Sequence, residues 1–311
     1  MVPRLSRRIG RSVAISVVAL LLAACSPGSQ EPGESSDADD RLHVVVTLNI
    51  LADFADQVGG ELVDVEALVG LGADPHVHEP TPSDAVAVSR ADVVLGNGLG
   101  LEVWLDQLLG PADRDAVLVT DGLQDETIRD EAGRPDPHLW MDPVLATGYV
   151  VSIAEAFADA DPANAEAYRA NAEAYRVQLD ALDVELSEEL AAIPAERRRL
   201  VTSHDAYSYF ARRYDLEVAG TVLGVSTESE PSAQHVSELI AEIRRQGVPV
   251  VFFETTVNPS VVERVARDAG VGLGDALYGD SLGEAGSGAE TYVDMMRHNA
   301  AAIRSGLMGD G

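Results

Sequence analysis

Residues 161–194 read DPANAEAYRANAEAYRVQLDALDVELSEELAAIP, and the rhythm of this stretch decides the architecture. Between Pro162 and Ile193 there is no glycine and no internal proline. Tyr168, Tyr175, Leu179, Leu182, Leu186 and Leu190 recur at spacings of three, four and seven, which puts them on one face of a helix. Asp161 is the expected N-cap with Pro162 in the first turn, and Pro194 is the expected stop because it cannot donate the next hydrogen bond. At about 1.5 Å per residue this helix would reach roughly 48 Å, more than one small domain needs. Such a helix is a coiled coil or a strut between two lobes. The repeat is too short for a coiled coil, so the strut is the reading.

The flanking chain alternates strand and helix on both sides. The pattern predicts strands over 43–50, 63–69, 92–95 and 116–120 before the long helix, and over 199–202, 217–223, 250–253 and 274–277 after it. Helices are predicted over 51–58, 84–89 (with Ser83 as N-cap), 101–109 and 143–157. In the second half they fall over 206–214, 232–246, 259–269 and 290–303. Alternation of this kind predicts α/β lobes, each with a mostly parallel sheet flanked by helices and each with its own core. The expected organisation is a lipoprotein signal peptide over 1–24, a flexible tether over 25–41, an N-terminal lobe over 42–160, a linking helix over 161–194 and a C-terminal lobe over 195–311.

Composition narrows the function. The 311 residues carry a net charge of −30, all 22 basic residues are arginine, and the basic footprint that nucleic acid requires is missing. Most of the acidity reads as a solvated surface. At the N-terminus Arg4, Arg7, Arg8 and Arg11 precede an apolar run over 12–22 that is short for a bilayer span. Leu22-Ala23-Ala24-Cys25 follows, and it resembles a lipobox, in which the cysteine is lipidated and becomes the mature N-terminus. Removing residues 1–24 takes away four arginines and no acid, leaving −34. Cys25 is the only cysteine, so one mature chain can form neither a disulfide nor a thiolate metal site.

Of seven histidines, three share a placement. His76 lies in Asp74-Pro75-His76-Val77-His78-Glu79-Pro80, His138 in Asp136-Pro137-His138-Leu139-Trp140, and His204 in Val201-Thr202-Ser203-His204-Asp205. Each falls in a loop at a strand end or before a helix, where side chains from separate βα units converge. Asp280, in Tyr278-Gly279-Asp280-Ser281, belongs to a fourth such loop. Three imidazoles and a carboxylate make a sensible shell for a borderline divalent cation. His78 either competes as a ligand or packs over the site and hydrogen-bonds a ligand from outside, and Glu79 is a further candidate for such support. His43, His235 and His298 read as structural or surface residues.

These loops resemble those of the solute-binding lipoproteins of bacterial zinc/manganese ABC importers, known as cluster A-I or solute-binding protein family 9. The resemblance covers about residues 41–308. Asp74-Pro75-His76 with Glu79-Pro80 and Ser83-Asp84 is similar to the family's first metal loop, and Asp136-Pro137-His138 with Trp140 to its second. Thr202-Ser203-His204 with Tyr209-Phe210 is similar to the third, and Asp280-Ser281 to the fourth. Glu228 with Pro231, and Phe253-Glu254, match further recurrent stretches. The resemblance implies two α/β lobes joined by one helix, with metal held between them by His76, His138, His204 and Asp280. It also implies a membrane permease as partner, a lipid anchor on Cys25 at the outer face of the cell membrane, and a monomer with no enzymatic activity.

Two departures stand out. The family usually has an aromatic residue where this chain has His78, and the His-rich acidic loop of many zinc-specific members is missing, since residues 121–137 contain no histidine. The manganese branch typically has Glu where His204 stands. A third nitrogen donor favours Zn²⁺, with Mn²⁺ or dual use as the alternative. A competing class is a secreted zinc hydrolase with Asp280 set back as general base, but no HExxH-type signature appears. A surface adhesin with incidental metal ranks last.

Overall fold

The computed structural model describes residues 41–130 and 132–309. The expected signal peptide, Cys25 and the tether, up to residue 40, lie outside the described residues. The first sheet starts with β1 (Leu42–Leu48), whose valine run is buried on both faces, as a central parallel strand requires. It leads into α1 (Asn49–Gly59), then β2 (Val63–Val69), α2 (Pro82–Arg90), β3 (Val93–Gly96), α3 (Asp106–Ala112), β4 (Val117–Leu118) and α4 (Pro143–Ala160). All pairs are parallel, in the order β2-β1-β3-β4.

The long helix, α5, runs Ala165–Ala191, shorter at both ends than the expected 161–194. Asp161 does not cap it. Its carboxylate accepts from Asn164 Nδ2 at 2.6 Å and from the Tyr168 hydroxyl at 2.9 Å, which turns the chain between α4 and α5. At the other end the helix stops three residues before Pro194, with Ala192 as C-cap. The 27 residues span about 40 Å. All six residues of the expected apolar stripe are buried.

After α5 come β5 (Arg199–Thr202), α6 (Ser208–Arg213), β6 (Glu217–Thr221), α7 (Ala233–Gln246), β7 (Val250–Val251), α8 (Ser260–Ala269), β8 (Gly272–Leu273) and α9 (Tyr292–Met308). β5 pairs with β6 and β7 with β8, both parallel, and the Phe252 N–H donates to Val201 O at 2.9 Å between the two ladders. The strand expected over 274–277 is displaced. β8 ends at Leu273, and only Leu277 makes an isolated parallel bridge to Glu254.

α5 binds both halves along its length. Its first turns reach α1, where Asn171 Nδ2 donates to Val58 O and the Tyr175 hydroxyl to Asp53. Further along, Asp183 takes a two-pronged ion pair from Arg213 of α6, and Glu185 and Glu189 pair with Arg297 and Arg304 of α9. One apolar cluster runs from β1 through α1, α4 and α5 into α6 and α9, with a smaller cluster in each half. The two halves thus share a core around the helix, where separate cores were expected. Among the described residues no helix is long and apolar enough to cross a membrane.

Candidate metal centre

The loop after β2 makes a short 3₁₀ turn, Pro75–Val77, with Asp74 at its N-cap. Asp74 Oδ1 accepts the His76 N–H at 2.9 Å. Trp104 Nε1 donates to Pro75 O at 2.8 Å, which anchors the turn to the first half. The second loop repeats the device. Asp136 Oδ1 accepts both the His138 N–H at 3.0 Å and its ring Nδ1 at 2.7 Å. Asn97 Nδ2 donates to Pro137 O, and Trp140 packs edge-on against the His138 ring.

His204 follows β5 directly. Glu254 Oε1, three residues past β7, accepts the His204 N–H at 3.0 Å and the Ser203 hydroxyl at 2.7 Å. Its Oε2 lies 2.7 Å from His204 Nδ1, off the line of a regular hydrogen bond. Gly279 lets the fourth loop pass close by, since a Cβ there would run into Glu254 Oε2. Ser281, next to Asp280, is tied to the first half: its hydroxyl oxygen accepts from Gly72 N–H at 2.8 Å, and Asn49 Oδ1 accepts the Leu282 N–H at 2.7 Å.

These four loops bring His76, His138, His204 and Asp280 together, with one ligand atom of each lying within 4.8 Å of all the others. His76 Nε2 is 3.3 Å from His138 Nε2 and 3.7 Å from Asp280 Oδ2. Asp280 also lies 3.4 Å from His138 Nε2 and 3.1 Å from His204 Nε2. His138, His204 and Asp280 are wholly buried, and His76 is 4% exposed. Because carboxylates occupy the Nδ1 side of His138 and His204, both rings turn Nε2 inward.

The charge balance is uneven. Burial lowers His76 to about 4, so that ring is neutral at pH 7. Burial also opposes charge on His204, but Glu254 and Asp280 on either side override it and hold that imidazole well above its usual range. For Asp280 burial is again outweighed, chiefly by His204, and its carboxyl stays well below the ordinary carboxylate range. His204 Nε2 and both Asp280 oxygens are buried without a hydrogen-bond partner. Burying three such atoms is costly unless something else satisfies them, and a cation among them would. Asp280 stands inside the cluster, so the set-back position that a hydrolytic base would need is not where this carboxylate lies.

The other expected residues fall outside the cluster. His78 lies outside the four-residue cluster: its Nε2 pairs with Asp84 Oδ2 at 2.9 Å and its ring packs edge-on against Trp104. It therefore braces the loop from the α2 side, without a hydrogen bond to any cluster residue. Glu79 is exposed and also outside. His235 and His298 bond backbone oxygens of Thr221 and Ala276, and His43 lies near Asp64. The carboxylates behind the imidazoles were missed as such. Asp74 and Asp136 had a visible signal in the repeated Asp-Pro-His, where the acid two residues back accepts the histidine N–H. Glu254, fifty residues from His204, had only its place in the Phe253-Glu254 stretch that resembles the family, with no role attached to it.

A family model described as zinc-uptake complex component A, periplasmic, matches residues 44–306. The chain is 38% identical over 302 residues to the manganese-binding lipoprotein MntA of Halalkalibacterium halodurans, covering 97% of this chain and 99% of that one. It is 33% identical over 310 residues to the iron-binding protein YfeA of Yersinia pestis, covering 99% of each. The solved structure of the periplasmic zinc-binding protein TroA from Treponema pallidum aligns with a TM-score of 0.82 at 33% identity, over 86% of this chain and 99% of that one. With the family model spanning nearly all described residues, the chain belongs to the zinc-uptake complex component A family, the ABC-importer binding proteins that its metal loops resemble.

Proposed function

We propose that this chain captures one divalent transition-metal ion outside the cytoplasm and delivers it to the membrane permease of an ABC importer. The observation that carries this reading is the convergence of four buried donors from loops of both halves, three of whose atoms lack any other partner. His76, His138, His204 and Asp280 are the ligands. Four protein donors close a tetrahedral shell and leave no position for a reactive water, so the chain is a carrier and not an enzyme. Three nitrogens and one carboxylate suit zinc ahead of manganese, and intrinsic affinity runs the same way. A second reading, manganese or dual use, is favoured by the manganese-binding name of the 38% identical relative.

That relative is also named a lipoprotein, which supports lipidation of Cys25 after loss of residues 1–24. The mature protein is then a monomer tethered through residues 25–41 at the outer face of the membrane. Residues 42–160 and 195–311 act as the two lobes on either side of the helix. Metal analysis of the purified protein, with zinc and manganese in competition, tests the assignment. One tightly held zinc per chain that manganese does not displace supports it. Absence of any bound metal, or zinc-dependent turnover of ester or peptide substrates, would contradict it.

A further inference from the structure

The three imidazoles are backed in two different ways. Asp136 and Glu254 each grip both the backbone and the ring of their histidine, and each belongs to the same half as that histidine. Asp74 grips only the backbone N–H of His76, through Oδ1. Its Oδ2 accepts the Thr227 hydroxyl at 2.5 Å, from the loop between β6 and α7 in the opposite half. From this geometry we infer that Thr227 is a latch: a positioning residue that acts through Asp74 to keep His76 in the cluster, and so governs how fast metal leaves. The inference rests on the metal-binding function proposed above.

Several hydrogen bonds cross between the halves at the site, but most end on side chains that water cannot reach. Trp140 Nε1 donates to Gly279 O, the Tyr209 hydroxyl donates to Asp136 O, and Gly72 N–H donates to Ser281, all three side chains being fully buried. Thr227 is only half-buried and lies between exposed Ser226 and Glu228. Thr227 and Asp74 both line a pocket of about 200 Å³, and the neighbouring cleft of about 500 Å³ is lined by Ser226, Glu228 and, of the four cluster residues, His76. Water can therefore replace the Thr227 bond at little cost while the buried ties hold. Losing it frees Asp74, and Asp74 is the carboxylate that orients His76 at the mouth of the cleft.

The test loads the full chain with zinc and follows dissociation by stopped flow into excess chromophoric chelator. Thr227→Val should keep one zinc per chain and the metal-free melting temperature, yet release zinc about tenfold faster. Thr227→Ser, which keeps the hydroxyl, should restore release to near the wild-type rate. Thr227→Ala carries the same expectation as Val without adding bulk. Unchanged release from stoichiometrically loaded Thr227→Val, with or without a lower melting temperature, would overturn the latch and leave the carrier function standing. A wild-type chain that takes up no zinc would overturn both.

Discussion

His138 turns Nε2 to the cluster because Asp136 holds its Nδ1, and Glu254 stands behind His204 in the same way. Replacing His138 with Ala removes a proposed ligand and leaves Asp136 without its ring partner. Such loss should weaken metal binding at least about a hundredfold, read by competition with a chelator. His78→Ala should cost much less than His76→Ala, because His78 acts only through Asp84 and Trp104. Equal losses would make His78 a ligand after all. Proton competition is set mainly by His204. His76, near 4, offers metal a free nitrogen at pH 7, while His204 holds its proton between two carboxylates. Metal binding at pH 7 should thus release about one proton, measurable by calorimetry in buffers of different ionisation enthalpy. Affinity should rise with pH as His204 gives up its proton, and should fall steeply as pH drops toward about 4, where His76 takes up a proton in place of metal. Binding without proton release, or full affinity at low pH, would contradict this assignment. In the metal-free protein the sign reverses. The raised His204 stabilises the fold fully below about 6.5, and that contribution fades as pH climbs through its folded value.

At the scale of elements, α5 carries the architecture through one apolar face. Leu186 is fully buried there, in the cluster that joins both halves. Leu186→Ala should lower stability by about 2–5 kcal/mol in chelator-treated protein, read by denaturant unfolding. A loss under about 0.5 kcal/mol would place that face outside the shared core. This stripe was legible because a helix writes its buried side into the sequence with a period of 3.6. β1 was legible as a valine-rich apolar run, and β2 and β5 lie where strands were expected. The ends were less well placed. Thr81, and not Ser83, caps α2, through a reciprocal bond with Asp84, a Thr-x-x-Asp capping box whose signature was present in the sequence and passed over for the serine inside it. Residues 101–105 form turns before α3, although their apolar content suggested helix. The four cluster residues were found from their places at strand ends. The contacts of Glu254, Asn49 and Thr227 were not, because contacts between residues dozens to hundreds of positions apart leave no local period.

For the molecule as a whole, the shared core and a helix bound along its length to both halves resist wide separation of the lobes. Metal release therefore falls to the loops at the cleft, where His76 sits at the edge and Thr227 is within reach of water. The acidic surface, at a net charge of −30, attracts cations generally, but salt screens that attraction within about 10 Å, and selectivity comes from the buried donors. The central claim is that one ion sits among the four loops. Anomalous diffraction at the zinc edge from crystals grown with zinc tests it directly. We predict a single strong peak about 2.0–2.2 Å from the Nε2 atoms of His76, His138 and His204 and from a carboxylate oxygen of Asp280. A zinc peak elsewhere on the chain, with those four side chains free of metal, would contradict the account.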